Sequence, residues 1–427
     1  MFQPKIEKMT RKEIETLQKK RLLNMIKYAY KNVPLYKHKF KEANITPDSI
    51  KKPSDMHKIP FTVKDDLRDH YPYGIMAVPL KKIIEFHASS GTTGIPTVVS
   101  YTQRDLNRWS ELMARTYACA GCKPDDIVQN AYGYGLFTGG LGFHYGAERL
   151  GCAVLPTATG NTKRQLKMMV DLKTTVLAST PSYAIYLMEG AKEEKIDLRK
   201  DTKVRIGMFG AEPWSEEMRR TIQDEWGIKA QDVYGMSELY GPGVAAECQY
   251  QDGLHIWSDE FYTETIDPDT GEVLAPGEKG EMVVTMLTRE AMPLLRYRTK
   301  DLCVINWEKC QCGRSHPRIM RIKGRSDDML IIGGVNVFPS QIEDVLLKVP
   351  GIGDQYQIIV DRDLLDKLAI KVEVSPEFKG DRKKLLEEAS ETLTATLTVR
   401  ANIELLDPGT LPRSEGKAKR VIDLRKQ

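Results

Sequence analysis

The sequence predicts an α/β protein in two parts, a large N-terminal region over residues 1–326 and a small α+β domain over residues 327–427. Three observations point to this. Short apolar runs alternate with polar, helix-favouring segments through the middle of the chain, the pattern of a largely parallel sheet covered by helices. From Asp259 onward, turn signals such as Asp267-Pro268-Asp269 and Pro276-Gly277 crowd between short strands, which suits an antiparallel region. Beyond Arg325 the chain carries strands and helices of its own, enough for a separate core.

The elements follow in order. Thr10 and Glu13 have the spacing of a capping box, and Leu17, Leu22 and Ile26 recur at near-helical intervals, so residues 10–31 should form a helix that Asn32-Val33-Pro34 ends. Buried strands are expected at 127–131, 153–155, 175–177 and 204–208, with helices at 163–172 and 215–226 between or after them. In the small domain, 329–332 reads as a strand. Residues 339–348 read as a helix opened by Pro339, and 356–360 with 368–374 as a hairpin. A helix over 382–396 and a last strand at 403–406 complete it.

Composition narrows the function. Lys plus Arg is 63 and Asp plus Glu 59 in 427 residues, a net charge of +4, too mild for a nucleic-acid binder. No apolar run approaches the roughly 20 residues of a membrane span. The start, Met1-Phe2-Gln3-Pro4-Lys5, lacks the basic-then-apolar order of a secretion signal. Seven cysteines in a chain this long do not make a disulfide framework. The expectation is a cytoplasmic enzyme with small-molecule partners, no nucleic acid and no membrane.

Five short motifs carry chemistry. Ser89-Ser90-Gly91-Thr92-Thr93-Gly94 combines hydroxyls with two glycines, so its backbone N–H groups can turn inward as an anion nest. It lacks the Gly-Lys-Ser/Thr ending of the common P-loop, so a phosphate-binding lysine must come from elsewhere. The same absence argues against a conventional P-loop phosphohydrolase. In Asp232-Val233-Tyr234-Gly235-Met236-Ser237-Glu238, an aromatic beside a glycine can stack on a base, and a carboxylate after a hydroxyl can hold Mg²⁺. Asp301, ending Leu295-Arg296-Tyr297-Arg298-Thr299-Lys300-Asp301, could accept from ribose hydroxyls. Gly324-Arg325-Ser326-Asp327-Asp328 sits at the expected domain boundary, and Leu411 to Arg420 places Gly416 before Lys417 in a basic polar loop.

In this order and spacing the motifs resemble the acyl-adenylate-forming superfamily of acyl-CoA synthetases, peptide-synthetase adenylation domains and luciferases. The resemblance is closest to the phenylacetate–CoA ligases and runs nearly end to end. Tyr132 to Gly142, His144 to Arg149, Gly210 to Trp214, Gly334 to Pro339 and Leu411 to Lys417 add to it. It implies a large multi-subdomain N-terminal domain of the adenylate-forming type and a small mobile C-terminal lid. Residues 89–94 would wrap the β- and γ-phosphates of ATP. Gly210, Ala211, Glu212 and Pro213 would line one face of adenine and Tyr234 the other, within the Asp232, Gly235 and Met236 segment. Ser237 would touch the α-phosphate, Glu238 would bind Mg²⁺, and Asp301 with Arg325 would hold the ribose. Asp327 resembles the hinge and Lys417 the mobile catalytic lysine. The implied reaction joins an aryl carboxylic acid to AMP and then to coenzyme A. An alternative within the same resemblance is a coenzyme F390 synthetase-like adenylyltransferase acting on a deazaflavin. Many relatives are dimers, so a homodimer is a further implication. Two positions depart from the pattern. Lys300 stands where the wider superfamily often has glycine, and Gly333 where phenylacetate ligases often have arginine.

Two further groups stand out. Tyr132, Phe137, His144 and Tyr183 are aromatic-slot candidates for the acid, each equally able to be a packed core residue. Cys248, His255, Cys310 and Cys312 offer three sulfurs and an imidazole for a closed, structural Zn²⁺ site, with His316 as another possible fourth ligand. The alternative is a set of reduced thiols without a metal. Cys119, Cys122, Cys152 and Cys303 read as small core or helix residues.

Overall fold

The computed structural model describes residues 1–89, 96–320, 322, 324–328, 330–332, 335–362, 366–397, 401–413 and 420–426. The capping box forms as expected: the Thr10 side chain accepts from the Glu13 N–H, and Glu13 accepts from the Thr10 N–H at 2.7 Å, starting the helix Arg11–Asn32. Leu22, Ile26 and Ala29 from its inner face enter the main core.

Strands β1 (Glu85–Ser89) and β2 (Thr97–Tyr101) pair antiparallel, with Ser89 opposite Thr97. Next come β3 (Ile127–Asn130), β4 (Ala153–Leu155), β5 (Val176–Ser179), β6 (Ile206–Gly210) and β7 (Lys229–Met236). These five lie parallel in the spatial order 4-3-5-6-7. The alternation of apolar runs with helices is thus the parallel sheet the sequence predicted. β8 (Gly241–Glu247) folds back antiparallel on β7, and β9 (Leu254–Ile256) follows it.

The turn-rich stretch forms its own antiparallel sheet of β10 (Phe261–Ile266), β11 (Gly280–Met286) and β12 (Tyr297–Cys303). β13 (Ile305–Asn306) and β14 (Arg318–Ile319) return to the large sheet beyond β9. β15 (Leu330–Ile332) and β16 (Val335–Val337) make a short hairpin. The final sheet contains β17 (Ile352–Arg362), β18 (Asp366–Val374), β19 (Asn402–Leu406) and β20 (Val421–Asp423), in the order 19-18-17-20. One expectation is corrected here: the strand at 403–406 is not the last. Val421-Ile422-Asp423 pairs parallel with β17. Three residues at the end of a basic tail give no periodicity of their own, and only the exposed edge of β17 makes them a strand.

The cores divide by region. One cluster runs from Leu22 to Ile319, a second from Ala131 to Ala230 beside the parallel sheet, and a third from Leu330 to Ile403 draws only on the C-terminal region. Cys119, Cys122, Cys152 and Cys303 are buried. The large region also buries charge. Arg115 forks onto both oxygens of Asp259 at 2.7 and 3.0 Å, and both side chains are fully buried. The same guanidinium reaches Gln3, so the N-terminal arm is tied to the centre of the molecule.

Removing one member of such a pair leaves an uncompensated buried charge. Arg115→Met should therefore lower stability by about 3–5 kcal/mol. Arg11→Ala, which breaks the exposed pair with Glu15, should cost at most about 1 kcal/mol. Urea denaturation of the two variants checks the contrast.

Candidate active site and candidate metal centre

The hydroxyl and glycine loop is carried by the β1–β2 hairpin. Its stems end at Ser89 and Thr97; Ser90, Gly91, Thr92, Thr93 and Gly94 lie outside the described residues. The stem is braced from behind. His87 contacts Glu85 at 2.7 Å through Nε2 and the Leu136 carbonyl at 3.0 Å through Nδ1. The Ala88 N–H donates to that same carbonyl at 2.8 Å. These contacts hold the segment around Leu136 and Phe137 beside the loop stem.

Across from the stem, the ends of β6 and β7 come very close. A side-chain carbon at Gly210 would stand 2.2 Å from the Val233 carbonyl oxygen, so only glycine fits. Ala211 follows with φ of 71°, a left-handed conformation that alanine adopts at a cost. That turn sends the Glu212 carboxylate to accept the Ser182 N–H at 2.8 Å. The Tyr132 hydroxyl donates to the Gly210 carbonyl at 3.4 Å, placing one aromatic candidate against this turn. On β7, the Asp232 N–H donates to Glu247 at 2.8 Å. Gly235 lies so near Gly241 that a side-chain carbon would sit 2.1 Å from its carbonyl oxygen, and Met236 ends the strand. The Ser237 hydroxyl is 3.3 Å from the Thr138 hydroxyl. Glu238 is buried, its Oε1 makes no hydrogen bond, and the Lys64 ammonium is 3.5 Å away.

A chain of polar contacts links the large sheet to the start of the C-terminal region. The Tyr234 hydroxyl donates to Asp301 at 2.5 Å. Arg325 donates to the other Asp301 oxygen at 3.3 Å and forks onto Asp327 at 2.9 and 3.0 Å. Backbone bonds from Leu302 to Gly324 and from Ser326 to Lys300 zip 324–326 onto β12. Burial pushes the Asp301 pKa above the ordinary carboxylate value, against the pull of Arg325 and Tyr234. Lys300 has φ of 68°, a left-handed conformation that glycine adopts freely and lysine only under strain. Here the strain is held by its N–H bonding Glu281 at 3.3 Å and its ammonium 3.7 Å from the same carboxylate.

Lys417 lies outside the described residues, as do Gly333 and Gly416. The residues on either side of the Lys417 segment are described, and both reach the large region. Arg413 forks onto Glu373 at 2.8 and 2.9 Å and onto Glu189 at 3.1 Å through two nitrogens. Arg420 donates to the Ser182 hydroxyl at 3.3 Å and lies 4.3 Å over the Tyr356 ring. Ser182 is the residue whose N–H holds Glu212.

The four aromatic-slot candidates are not one group. Tyr132 stacks on Phe143 at 4.6 Å, and His144 contacts the Tyr134 hydroxyl at 3.0 Å. Phe137 is 54% exposed, so its ring is open to the solvent face of the loop. Tyr183 is buried in the second core cluster, its hydroxyl donating to the Gly160 carbonyl at 3.3 Å. Sequence reasoning missed Lys64, Ser182, Glu189 and Arg413. Only the demand for a lysine from outside the glycine loop hinted at Lys64.

Cys248, His255, Cys310 and Cys312 come together, their ligand atoms all within 4.8 Å of one another. Cys248 and Cys310 sulfurs are 3.7 Å apart, and Cys312 is 3.3 Å from His255 Nε2. Two sulfurs on a tetrahedral Zn²⁺ would be roughly 3.8 Å apart, so the set fits that ion. His255 Nδ1 faces the His316 carbonyl at 3.2 Å, which leaves Nε2 turned to the sulfurs. Hydrogen bonding from Cys248, with His255 beside it, pulls the Cys312 thiol down to about 2, while Cys248 is pushed up. His316 is not part of the cluster, which corrects the alternative ligand set. Its Nδ1 accepts the Ser258 N–H at 3.1 Å and its Nε2 donates to the Ile6 carbonyl at 3.1 Å.

The AMP-binding enzyme family model matches residues 79–286, and the AMP-binding enzyme C-terminal domain model matches residues 334–425. A phenylacetate-coenzyme A ligase of Thermus thermophilus is 45% identical, with 100% of each chain covered. One from Pseudomonas putida is 48% identical over 96% of this chain and 93% of its own. Among solved structures, 2-hydroxyisobutyryl-CoA ligase in its postadenylation state with 2-HIB-AMP is 32% identical and superposes with a TM-score of 0.93. That match covers 99% of this chain and 92% of the ligase. The same ligase with 2-HIB-AMP and CoA in its thioesterification state gives 0.74, over 98% and 91%. With identity at this level along its whole length, the chain belongs to the phenylacetate–coenzyme A ligase family of AMP-binding enzymes.

Proposed function

We propose that the chain activates an aryl carboxylic acid, phenylacetate or a close relative, with Mg-ATP and passes the acyl group to coenzyme A. In the first half-reaction a carboxylate oxygen attacks the α-phosphorus of ATP and the bond to the β-phosphate oxygen breaks, releasing pyrophosphate. In the second, the CoA thiol sulfur attacks the acyl carbon and AMP leaves. The observation that carries the reading is the docking of the C-terminal tail. Arg413 and Arg420, on either side of Lys417, bond Glu189 and Ser182, and Ser182 holds the Glu212 turn. A lysine delivered there meets the developing charge of two anions brought together. The phenylacetate-coenzyme A ligases at 45–48% identity support the choice of acid. No observation favours the deazaflavin adenylyltransferase.

In this reading residues 89–94 hold the outer phosphates. Gly210 to Pro213 and Tyr234, with Asp232, Gly235 and Met236, enclose adenine. Ser237 meets the α-phosphate, Asp301 and Arg325 take the ribose, and Tyr132 and His144 border the acid. Glu238, with a buried oxygen that lacks a hydrogen-bond partner, would hold Mg²⁺, which neutralises phosphate charge when bound. Asp327 is the hinge. The closer match to the postadenylation than to the thioesterification structure, 0.93 against 0.74, supports the lobes standing in the arrangement of the first half-reaction. The sulfur-rich cluster would hold a structural Zn²⁺, with no ligand position left open. Seven free cysteines suit a reducing cytoplasm.

Lys417→Ala should slow acid-dependent pyrophosphate release by about a hundredfold or more. It should spare thioester formation from supplied phenylacetyl-adenylate and CoA. A wild-type chain that released no pyrophosphate with any of a panel of aryl acids would overturn the function. Arg413→Ala, which loses the bridge to Glu189, should slow adenylation about tenfold and leave the thioester step near its normal rate; stopped-flow measurement of each half-reaction separates the two. Elemental analysis of the purified chain should find about one zinc per molecule. Cys310→Ser should lose that zinc and melt several degrees lower.

A further inference from the structure

The hydroxyl and glycine loop carries no cation, yet the outer phosphates of ATP bring about three negative charges into its neighbourhood. The structure assigns that missing cation to Lys64, which we infer binds the β- and γ-phosphates and the departing pyrophosphate. The inference rests on the ATP reading above and adds a residue to it.

Lys64 is placed with care. It opens the helix Lys64–Asp69, two residues after Thr62. Thr62 is stitched to β12 on both sides of Tyr297: its N–H donates to the Arg296 carbonyl at 3.0 Å, and its carbonyl accepts the Arg298 N–H at 2.9 Å. Its hydroxyl donates to the Leu295 carbonyl at 2.6 Å. The helix start is fixed as well, since Asp66 accepts the Val63 N–H at 2.8 Å and pairs with Lys39 at 3.0 Å. The nearby Glu238 carboxylate adds to burial in pushing the Tyr297 pKa up, so the strand that positions Lys64 also lies beside the carboxylate that Lys64 faces. The helix Lys64–Asp69 packs on β2, the strand leaving the glycine loop, and the turn Ser237–Leu239 packs on both β1 and β2. Lys64, Glu238 and the two loop stems therefore share one frame.

Among the described residues, three arginines near this frame are committed. Arg296 pairs with Glu264, Arg298 with Glu281, and Arg325 with Asp301 and Asp327. Among the described residues Lys64 pairs with Glu238 alone, at 3.5 Å, and its side chain is 38% exposed. Glu238 Oε1 is buried without a hydrogen bond. A long, half-exposed ammonium facing such an oxygen can swing to an incoming phosphate while a metal takes the carboxylate.

Calorimetry of the full chain in Mg²⁺ buffer tests this with ATP, pyrophosphate and AMP as separate probes. Lys64→Met should weaken ATP and pyrophosphate by about tenfold to a hundredfold, and AMP by less than about twofold. Lys64→Arg should recover most of the loss. Pyrophosphate bound equally by wild type and Lys64→Met would overturn the inference, as would equal weakening of AMP and ATP. Tighter Mg²⁺ binding with unchanged pyrophosphate affinity would also overturn it, making Lys64 only a counter-ion to Glu238. A wild-type chain that binds neither ATP nor AMP would remove the ATP reading itself. One that binds both, matched by Lys64→Met, would remove this inference alone.

Discussion

A buried carboxylate that must stay paired constrains this site more than any other group. Asp301 sits within β12 with one oxygen taken by the Tyr234 hydroxyl and the other by Arg325. Burial disfavours its charge, so its partners have to be present and correctly aimed. Tyr234 comes from the parallel sheet, and Arg325 from the segment leading out of the large region. Satisfying one acid thus ties β7, β12 and the start of the C-terminal region to one point. Arg325 then forks onto Asp327, so the proposed hinge begins at the residue that holds the proposed ribose acid.

Two residues of the candidate site also carry backbone strain. Ala211 at 71° and Lys300 at 68° are both left-handed without being glycine, and each is the turn that aims a neighbouring carboxylate. Strain of this kind persists only where surrounding contacts over-determine it. At Ala211 the contact is the Glu212 bond to the Ser182 N–H, and at Lys300 it is the Glu281 carboxylate. The C-terminal tail reaches the first of these through Arg420 and Ser182. The tail and the turn it is proposed to serve are therefore held by a single residue.

Much of this was legible from residue types. Amphipathic spacing and a capping box marked the first long helix, and short apolar runs marked four of the five parallel strands, because local sequence carries those signals directly. The glycines at 210 and 235 were visible as motif positions; the structure adds the near-contact with Val233 and Gly241 that makes them obligatory. The cysteine–histidine set was visible as a donor list, although spacing alone left His255 and His316 as alternatives. The choice fell to the backbone, which occupies both His316 nitrogens.

Layers, family and the inventory of reactive groups could be read locally, since periodicity, caps and motifs are written in neighbouring residues. Which of those groups meet was settled by the fold. Lys64 faces Glu238, Arg413 bridges Glu189 and Glu373, β20 completes the last sheet, and Tyr183 joins a different core cluster from Tyr132. Each of these depends on contacts between segments far apart in the chain. A charged or aromatic residue reads the same in sequence whether its partner is solvent, a core or a substrate.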